Sequence, residues 1–238
     1  LDFSGCSVTI PHKENLVKLA IEQGWSLDPL ALTVGAANTL VVNSDRSISV
    51  SNTDIAAAVG ALQAVIPNLA GIHVGIVGAG GAARAIAFGL AHAGANITVF
   101  NRTKAAAEKL VKELTNKHHG SEFIAGDIAE LPICSCDVYI NCTPLGMQSG
   151  PDANTSPIPI DVMNQCKHPP VIFDTVYNPL ETPLLKSARA RGWKTIDGLT
   201  MFIAQAQAQF HAYTGSNAPE GLFERLARQE LTLNPSAD

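Results

Sequence analysis

The spacing of hydrophobic residues changes repeatedly along the chain, and this change predicts an α/β fold. Apolar runs of the length of a buried strand occur at 72–77, 96–100, 137–140 and 171–174. Between the first of these runs and the third, apolar residues recur every three or four positions, at Ile86, Leu90 and Ala93 and again over 104–117, as on one face of a helix. Strands that alternate with helices of this length indicate βαβ units and a parallel sheet.

A glycine-rich turn joins the first of these strands to its helix. Gly78 allows a sharp turn, Gly80 lets a pyrophosphate approach the backbone, and Ala83 is small where the helix packs on the strand. The first N–H groups of the helix and its positive dipole end favour a phosphate. The turn therefore predicts a Rossmann-like unit that binds a dinucleotide. The predicted phosphate-binding residues are Gly78, Ala79, Gly80, Gly81 and Ala82.

The end of the next strand predicts which dinucleotide binds. An NAD site places Asp or Glu about 20 residues beyond the glycines, where it accepts hydrogen bonds from the ribose. This chain has Arg102 there, and a guanidinium pairs with a 2′-phosphate through two hydrogen bonds. We predict NADP; the alternative is that Arg102 is a solvated charge at a strand end. The residues that share the predicted site are Asn101, Thr103 and Lys104.

Composition excludes several classes of protein. Of the 238 residues 46% are hydrophobic and 16% charged, which is typical of a compact globular protein and not of a disordered one. A net charge of −5 gives no reason to expect a nucleic-acid partner. No apolar run is long enough for a membrane span, and no signal peptide is visible. Five scattered cysteines without zinc-site spacing predict a reduced, cytoplasmic protein with no metal.

Two domains are predicted. The Rossmann-like NADP-binding domain covers 67–198, and a smaller α/β lobe for the substrate combines 1–66 with 199–238. In the first lobe, a strand that reaches Ile10 precedes a helix with Leu16, Leu19 and Ala20 on its apolar face. Asp54 is predicted to cap the helix that leads to the boundary. A helix over 201–213 begins the last segment.

Several stretches resemble the signature of shikimate dehydrogenases. They are Val-Thr-Ile-Pro-His-Lys at 8–13, Gly-Ala-Ala-Asn-Thr at 35–39 and Asn-Thr-Asp at 52–54, followed in the same order by the glycine turn, 101–103, 141–147 and 198–206. The resemblance covers nearly the whole chain. It implies a reversible hydride transfer between NADPH and the ketone of 3-dehydroshikimate, which gives shikimate in aromatic amino-acid biosynthesis.

The resemblance also implies roles for individual residues. Lys13 and Asp54 become the catalytic pair at the reacting oxygen. General chemistry supports this pair, since hydride addition to a ketone leaves an alkoxide that needs a proton and a nearby positive charge. The implied substrate contacts are Thr9, Asn38, Tyr177 and Gln205. Thr143, in a loop at the carboxyl end of a strand, and Met201 complete the predicted cofactor site.

The chain also departs from the family pattern. The family begins with a further βαβ stretch whose Ser-x-Ser motif binds the substrate carboxylate, and this chain starts after that point. We therefore expect the substrate lobe to be incomplete at its N-terminus, either by truncation or because the missing part belongs to a larger polypeptide, such as a fusion with dehydroquinate dehydratase. Ala106 stands where relatives often have a basic residue beside the 2′-phosphate, and Lys104 is the hypothesised substitute.

Two other functions stay open at this stage. One is a quinate/shikimate dehydrogenase of dual specificity, although relatives that prefer NAD tend to carry an acidic residue where Arg102 stands. The other is a catalytically silent homologue that only binds the metabolite. The presence of both Lys13 and Asp54 argues against the silent homologue.

Overall fold

Two β-sheets organise the protein. The computed structural model describes residues 3–9, 11–133, 136–150, 152–159 and 168–233. The elements of the first lobe are β1 (Gly5–Ser7), α1 (Lys13–Glu22), β2 (Ser26–Leu27), α2 (Pro29–Val34), β3 (Thr39–Val42), β4 (Ile48–Ser51) and α3 (Thr53–Gln63). Ile10, the last residue of the predicted first strand, lies outside the described residues.

The second sheet is parallel throughout and has six strands. Its elements are β5 (His73–Val77), α4 (Gly81–His92), β6 (Asn96–Asn101), α5 (Lys104–Lys117), β7 (Phe123–Asp127), a 3₁₀ helix (Ile128–Ile133), β8 (Val138–Asn141), β9 (Val171–Asp174), α6 (Pro183–Arg189) and β10 (Thr195–Ile196). The strand order is β10-β9-β8-β5-β6-β7. The chain changes direction across the sheet between β5 and β8, and ligands of such sheets bind at the carboxyl ends of the strands at this point. The predicted Rossmann-like fold is confirmed.

The smaller sheet has the order β1-β3-β4-β2. Its centre is an antiparallel hairpin in which Thr39 faces Ser51 and Val42 faces Ile48. A turn over 43–46 joins the two strands, and Arg46 has a φ of 68° within it. The hairpin brings the start of β3 next to the start of α3, where the predicted residues Asn38 and Asp54 lie.

One hydrophobic core continues from the first lobe into the second. Helices α3 and α4 pack so closely that a Cβ at position 89 would lie 2.7 Å from Ile55 Cγ2 and 3.0 Å from Val59 Cγ2. Gly89 therefore makes the contact between the two helices possible. Helix α7 (Gly198–Thr214) also packs on α3, and α8 (Leu222–Leu233) packs on α7. The division into 1–66 plus 199–238 and 67–198 stays a prediction.

Three local predictions are wrong. Asp54 does not cap α3, because Asn52 Oδ1 already accepts the N–H of Asp54 at 2.9 Å. Leu19 is exposed, and Val17 occupies the buried face of α1 instead. Helix α7 begins at Gly198 rather than at 201, because the side chain of Asp197 accepts the N–H of Thr200 and caps it. Among the described residues, no helix is both long and apolar enough to cross a bilayer.

Candidate active site

The structure brings Lys13 and Asp54 together. Lys13 Nζ lies 2.7 Å from Asp54 Oδ2, although the two residues are 41 positions apart. Their side chains are 15% and 7% exposed, so a short path to solvent remains at the ammonium. A buried pair of opposite charges must be well oriented to offset the loss of hydration. The short distance meets this requirement.

Backbone contacts explain why the two helix starts converge. The carbonyl of Lys13 accepts the N–H of Ala37 at 2.9 Å, which ties α1 to the segment before β3. Asn52 caps α3 with its amide oxygen and donates from Nδ2 to the carbonyl of Ala36 at 2.8 Å. Both helices are therefore held by adjacent residues of one segment. In the first turn of α3 the positive end of the helix dipole also favours the Asp54 carboxylate.

Asn38 is buried beside this pair. Its Oδ1 accepts the N–H of Thr53 and the hydroxyl of Thr39, each at 2.8 Å. Its Nδ2 donates to Thr53 Oγ1 at 3.0 Å, which leaves the second hydrogen of the amide free of any described partner. Thr53 Oγ1 also lies 3.5 Å from Gln205 Oε1 on α7. Three of the predicted residues, Asn38, Asp54 and Gln205, thus meet around Thr53.

The prediction did not assign a role to Gln209, and the structure shows it at the centre of a buried network. Its Nε2 donates to the carbonyl of Asn38 at 3.1 Å and to Thr39 Oγ1 at 3.0 Å. Its Oε1 accepts the hydroxyl of Ser7 at 2.7 Å. Gln209 lies one helical turn after Gln205 on the same face, and that spacing was the signal available in the sequence.

Thr9 and Tyr177 are not part of the hydrogen-bond network around Asn38 among the described residues. Thr9 is exposed and its side chain makes no hydrogen bond with the described residues. Tyr177 follows β9, is 41% exposed, and stacks on Phe202 with ring centroids 4.5 Å apart. Phe202 precedes Gln205 by three residues on α7, so Tyr177 lies near the start of that helix. The roles of both residues stay predictions.

The glycine turn lies directly beside Lys13. A Cβ at position 81 would lie 3.9 Å from the Cβ of Lys13. Gly78 has a φ of 116°, and a Cβ there would lie 3.0 Å from the carbonyl oxygen of Cys142. A Cβ at Gly80 would meet no atom within 4 Å, and no side chain caps α4 at that residue. The first turn of α4 is therefore open to an anionic ligand, which fits the pyrophosphate of a dinucleotide.

The end of β6 offers an exposed guanidinium. Arg102 has no hydrogen bond or ion pair with any residue that the structure describes, whereas Asn101 Nδ2 donates to the carbonyl of Thr103 at 3.0 Å. Lys104 Nζ lies 3.4 Å from Glu130 Oε1, and both side chains are about half exposed (46% and 48%). The hypothesis that Lys104 replaces the basic residue missing at Ala106 therefore has to include its competition with Glu130.

The remaining two cofactor predictions differ in their surroundings. Thr143 lies against the glycine turn, since a Cβ at Gly78 would be 3.2 Å from its methyl group. Met201 is buried in the hydrophobic core. Burial, followed by the charge of Asp174, raises the pKa of the neighbouring Cys142 thiol well above its ordinary value.

This arrangement can protonate an oxygen next to a bound dinucleotide. The ammonium of Lys13 can donate a proton and provide a positive charge, and the carboxylate of Asp54 is placed to orient it. Asn38, Thr39, Thr53 and Gln205 place amide and hydroxyl groups next to Asp54, and such groups suit a polyhydroxylated substrate. In the described residues, no group of three or more His, Cys, Asp or Glu side chains is arranged to hold a metal.

Comparisons with known proteins agree with this geometry. The family model described as shikimate / quinate 5-dehydrogenase matches residues 61–145. A shikimate dehydrogenase (NADP(+)) of Methanocella arvoryzae is 39% identical over 232 residues, which are 97% of this chain and 80% of that protein. Shikimate 5-dehydrogenase of Thermus thermophilus, solved with NADP(H) and shikimate, superposes with a TM-score of 0.77 at 30% identity over 96% and 79% of the two chains. Quinate dehydrogenase of Corynebacterium glutamicum, solved with NAD, superposes with a TM-score of 0.80 at 27% identity, and the match covers 97% of this chain and 78% of that one.

Proposed function

The chain belongs to the family of shikimate and quinate dehydrogenases, and on this premise we propose that it is an NADP-dependent shikimate dehydrogenase. The reaction is the reversible reduction of 3-dehydroshikimate to shikimate. The observation that carries the proposal is the 2.7 Å pair of Lys13 and Asp54 beside an open glycine turn. The Methanocella arvoryzae relative and the Thermus thermophilus structure, each named for this activity, support it.

The chain has the groups that NADP requires. NADPH supplies the hydride when it is bound. The open N–H groups at the start of α4 would hold its pyrophosphate, and Arg102 with Thr103 would contact the 2′-phosphate at the end of β6. The adjacency of Gly81 and Lys13 lets one ligand reach both the phosphate-binding turn and the catalytic pair.

In the proposed reaction, Lys13 protonates the oxygen that becomes the new hydroxyl. As hydride adds to the carbonyl carbon, the C=O π electrons move to oxygen and the Lys13 ammonium donates a proton there. In the reverse direction the Lys13 amine removes the proton from the hydroxyl. Asp54 keeps the ammonium aimed at that oxygen, a role that the hydrogen bond between them allows.

The substrate is proposed to bind between Asn38, Gln205 and Thr9. The free hydrogen of Asn38 Nδ2 can donate to a ring hydroxyl, because its other hydrogen is already used on Thr53. Gln205 adds an amide from α7, and Tyr177 adds a hydroxyl from the loop after β9. Hydrogen bonds to hydroxyl groups distinguish such a substrate strongly from one that lacks them.

Quinate is the second candidate substrate, because the Corynebacterium glutamicum quinate dehydrogenase is so similar in fold. Both functions are tested by incubating the purified chain with shikimate or quinate and with NADP⁺ or NAD⁺, while the absorbance of the reduced nicotinamide is followed. We expect the highest kcat/KM for shikimate with NADP⁺. A preference for quinate with NAD⁺ would favour the second candidate, and binding of shikimate without turnover would indicate a silent homologue.

Glu130 is expected to weaken binding of the 2′-phosphate by pairing with Lys104. In the structure, Glu130 Oε2 accepts the N–H of Asp127 at 2.8 Å. Replacement of Glu130 by glutamine removes the negative charge but keeps an oxygen that can accept this N–H. An exposed ion pair contributes about 0.2–1 kcal/mol, so we expect the KM for NADP⁺ to fall by about 1.5- to 5-fold and the KM for NAD⁺ to stay constant.

The matched control for this change is Glu22→Gln, an exposed carboxylate at the end of α1. Raising the salt concentration should reduce the difference between Glu130→Gln and the unmodified protein, since salt screens exposed charges. An equal fall in the KM for NADP⁺ with Glu22→Gln would show that only net charge matters.

A further inference from the structure

Asp174 is a buried carboxyl group at the carboxyl end of β9 for which the proposed reaction has no direct use. It is fully inaccessible to solvent, and no Lys, Arg or His within the described residues forms an ion pair with it. Burial raises its pKa, and hydrogen bonds from Thr182, Val176 and Asn141 oppose that rise. A carboxylate in such a position must accept hydrogen bonds, because burying it without partners costs free energy.

The first set of contacts leads to the predicted cofactor loop. Asp174 Oδ1 accepts from Asn141 Nδ2 at 2.9 Å. Asn141 Oδ1 in turn accepts both the N–H of Thr143 at 2.8 Å and its hydroxyl at 2.7 Å. Thr143 is the residue whose methyl group lies against Gly78. A continuous line of hydrogen bonds therefore joins Asp174 to the loop that borders the glycine turn.

The second set of contacts leads to the loop that carries Tyr177. Asp174 Oδ1 also accepts the N–H of Val176 at 3.1 Å, and the carbonyl of Val176 lies so close to α7 that a Cβ at Gly198 would be 2.4 Å away. On the other oxygen, Oδ2 accepts the hydroxyl of Thr182 at 2.6 Å, and that hydroxyl caps α6. One carboxylate thus holds both loops at this edge of the sheet.

The acceptor-only character of a carboxylate gives the network its direction. An ionised Asp can only accept hydrogen bonds, so Asn141 must present its NH₂ to Asp174 and its oxygen to Thr143. Asn141 Nδ2 also donates to the carbonyl of Leu145 at 3.2 Å, which favours the same orientation. A neutral amide at 174 can donate as well as accept, so it no longer excludes the orientation in which Asn141 is turned over. In the turned orientation the N–H and hydroxyl of Thr143 lose their acceptor.

From this geometry we propose that Asp174 is a positioning residue, which sets the orientation of Asn141 and thereby the distance between the cofactor loop (141–147) and the Tyr177 loop (175–178). The inference rests on the proposed function and deepens it. Asp174 acts through its neighbours and does not itself touch a reacting atom in this assignment.

The decisive variant is Asp174→Asn, which preserves shape and removes the acceptor-only constraint. We expect kcat/KM for shikimate and NADP⁺ to fall by about 10- to 100-fold, as for a small misplacement of reacting groups. We also expect the Kd of NADPH, measured by its fluorescence, to rise by about 3- to 10-fold. The thermal unfolding midpoint should change little. Asp137→Asn is the matched control: Asp137 accepts the N–H of His73 at the opposite end of β8, and its replacement should leave both quantities unchanged.

A double variant distinguishes positioning from simple packing. If Asp174 acts through Asn141, then Asn141→Ser and Asp174→Asn together should cost little more than the larger single loss, because residues of one network are not additive. Additive losses would contradict the assignment, and so would unchanged kcat/KM and NADPH binding in Asp174→Asn.

Two further measurements apply if Asp174→Asn does not fold or if the unmodified protein shows no turnover. If Asp174→Asn does not fold, Thr182→Val removes one donor only, and it should still lower kcat/KM by about 2- to 10-fold; unchanged activity there would overturn the proposal. If the unmodified protein turns over neither shikimate nor quinate, the proposed function fails. The NADPH measurement still tests Asp174 in that case, since it needs no substrate.

Discussion

Replacement of Lys13 by methionine is expected to lower the turnover of shikimate by about 10²- to 10⁴-fold, the usual contribution of a positioned acid–base group. Methionine keeps an unbranched apolar stem along the wall of the site but has no proton to donate. The measurement is kcat with NADP⁺, together with NADPH binding by fluorescence. Binding of NADPH should persist, because the proposed cofactor contacts lie on α4 and at the end of β6.

The control for this variant is Lys18→Met, an exposed lysine on the same helix, which should keep normal kcat. Since Lys13→Met leaves the Asp54 carboxylate buried without its partner, some loss of stability is expected. The double variant Lys13→Met with Asp54→Asn should recover the thermal midpoint but not the turnover. Near-normal kcat in Lys13→Met would remove lysine from the mechanism.

Replacement of Arg102 by alanine is expected to raise the KM for NADP⁺ by about 10- to 50-fold. Hydrogen bonds to a charged group contribute about 1.5–3 kcal/mol, and the exposure of this side chain favours the lower part of that range. The KM for NAD⁺ should change by less than about 2-fold, because NAD⁺ lacks the 2′-phosphate that Arg102 is proposed to bind. Arg102→Asp should reverse the preference, because a carboxylate repels the phosphate and accepts from a free ribose hydroxyl.

Arg225→Ala is the matched control for the change in net charge, because Arg225 is an exposed arginine on α8. It should leave the ratio of the two KM values constant. An equal increase in KM for both coenzymes in Arg102→Ala would mean that Arg102 binds a group present in NADP⁺ and in NAD⁺. The proposal that Arg102 distinguishes the two coenzymes would then be wrong.

The elements that the sequence predicted best are those with local causes. The strand at 171–174 and the helix over 104–117 have the predicted bounds, because apolar spacing alone is enough to distinguish a buried strand from an amphipathic helix. The glycine turn was also visible, because its conformation depends on the absence of side chains at a few neighbouring positions. Helix boundaries were less accurate: Asn52 and Asp54 compete for the same cap, and only the direction of their side chains decides between them.

Residue identities indicated which side chains belong to the site, but not how each one is used. The sequence contained Lys13 and Asp54 in familiar stretches, while their 2.7 Å contact depends on how α1 and α3 meet. Gln209 has the right spacing after Gln205, yet its buried hydrogen bonds to Asn38 and Ser7 join residues 171 and 202 positions away. In the sequence, Asp174 was recognisable only as the last residue of a predicted strand.

The sequence by itself determined the alternation of strands and helices over 72–196 and the position of the glycine turn, and it predicted the preference for a 2′-phosphate, because each of these depends on neighbouring residues. Only the tertiary structure decided which polar groups pair, as in the pairing of Lys104 with Glu130 and of Asp174 with Asn141. The physical reason is that a hydrogen bond requires two groups to meet within about 3 Å, and for residues far apart in the chain this distance is set by the packing of whole elements.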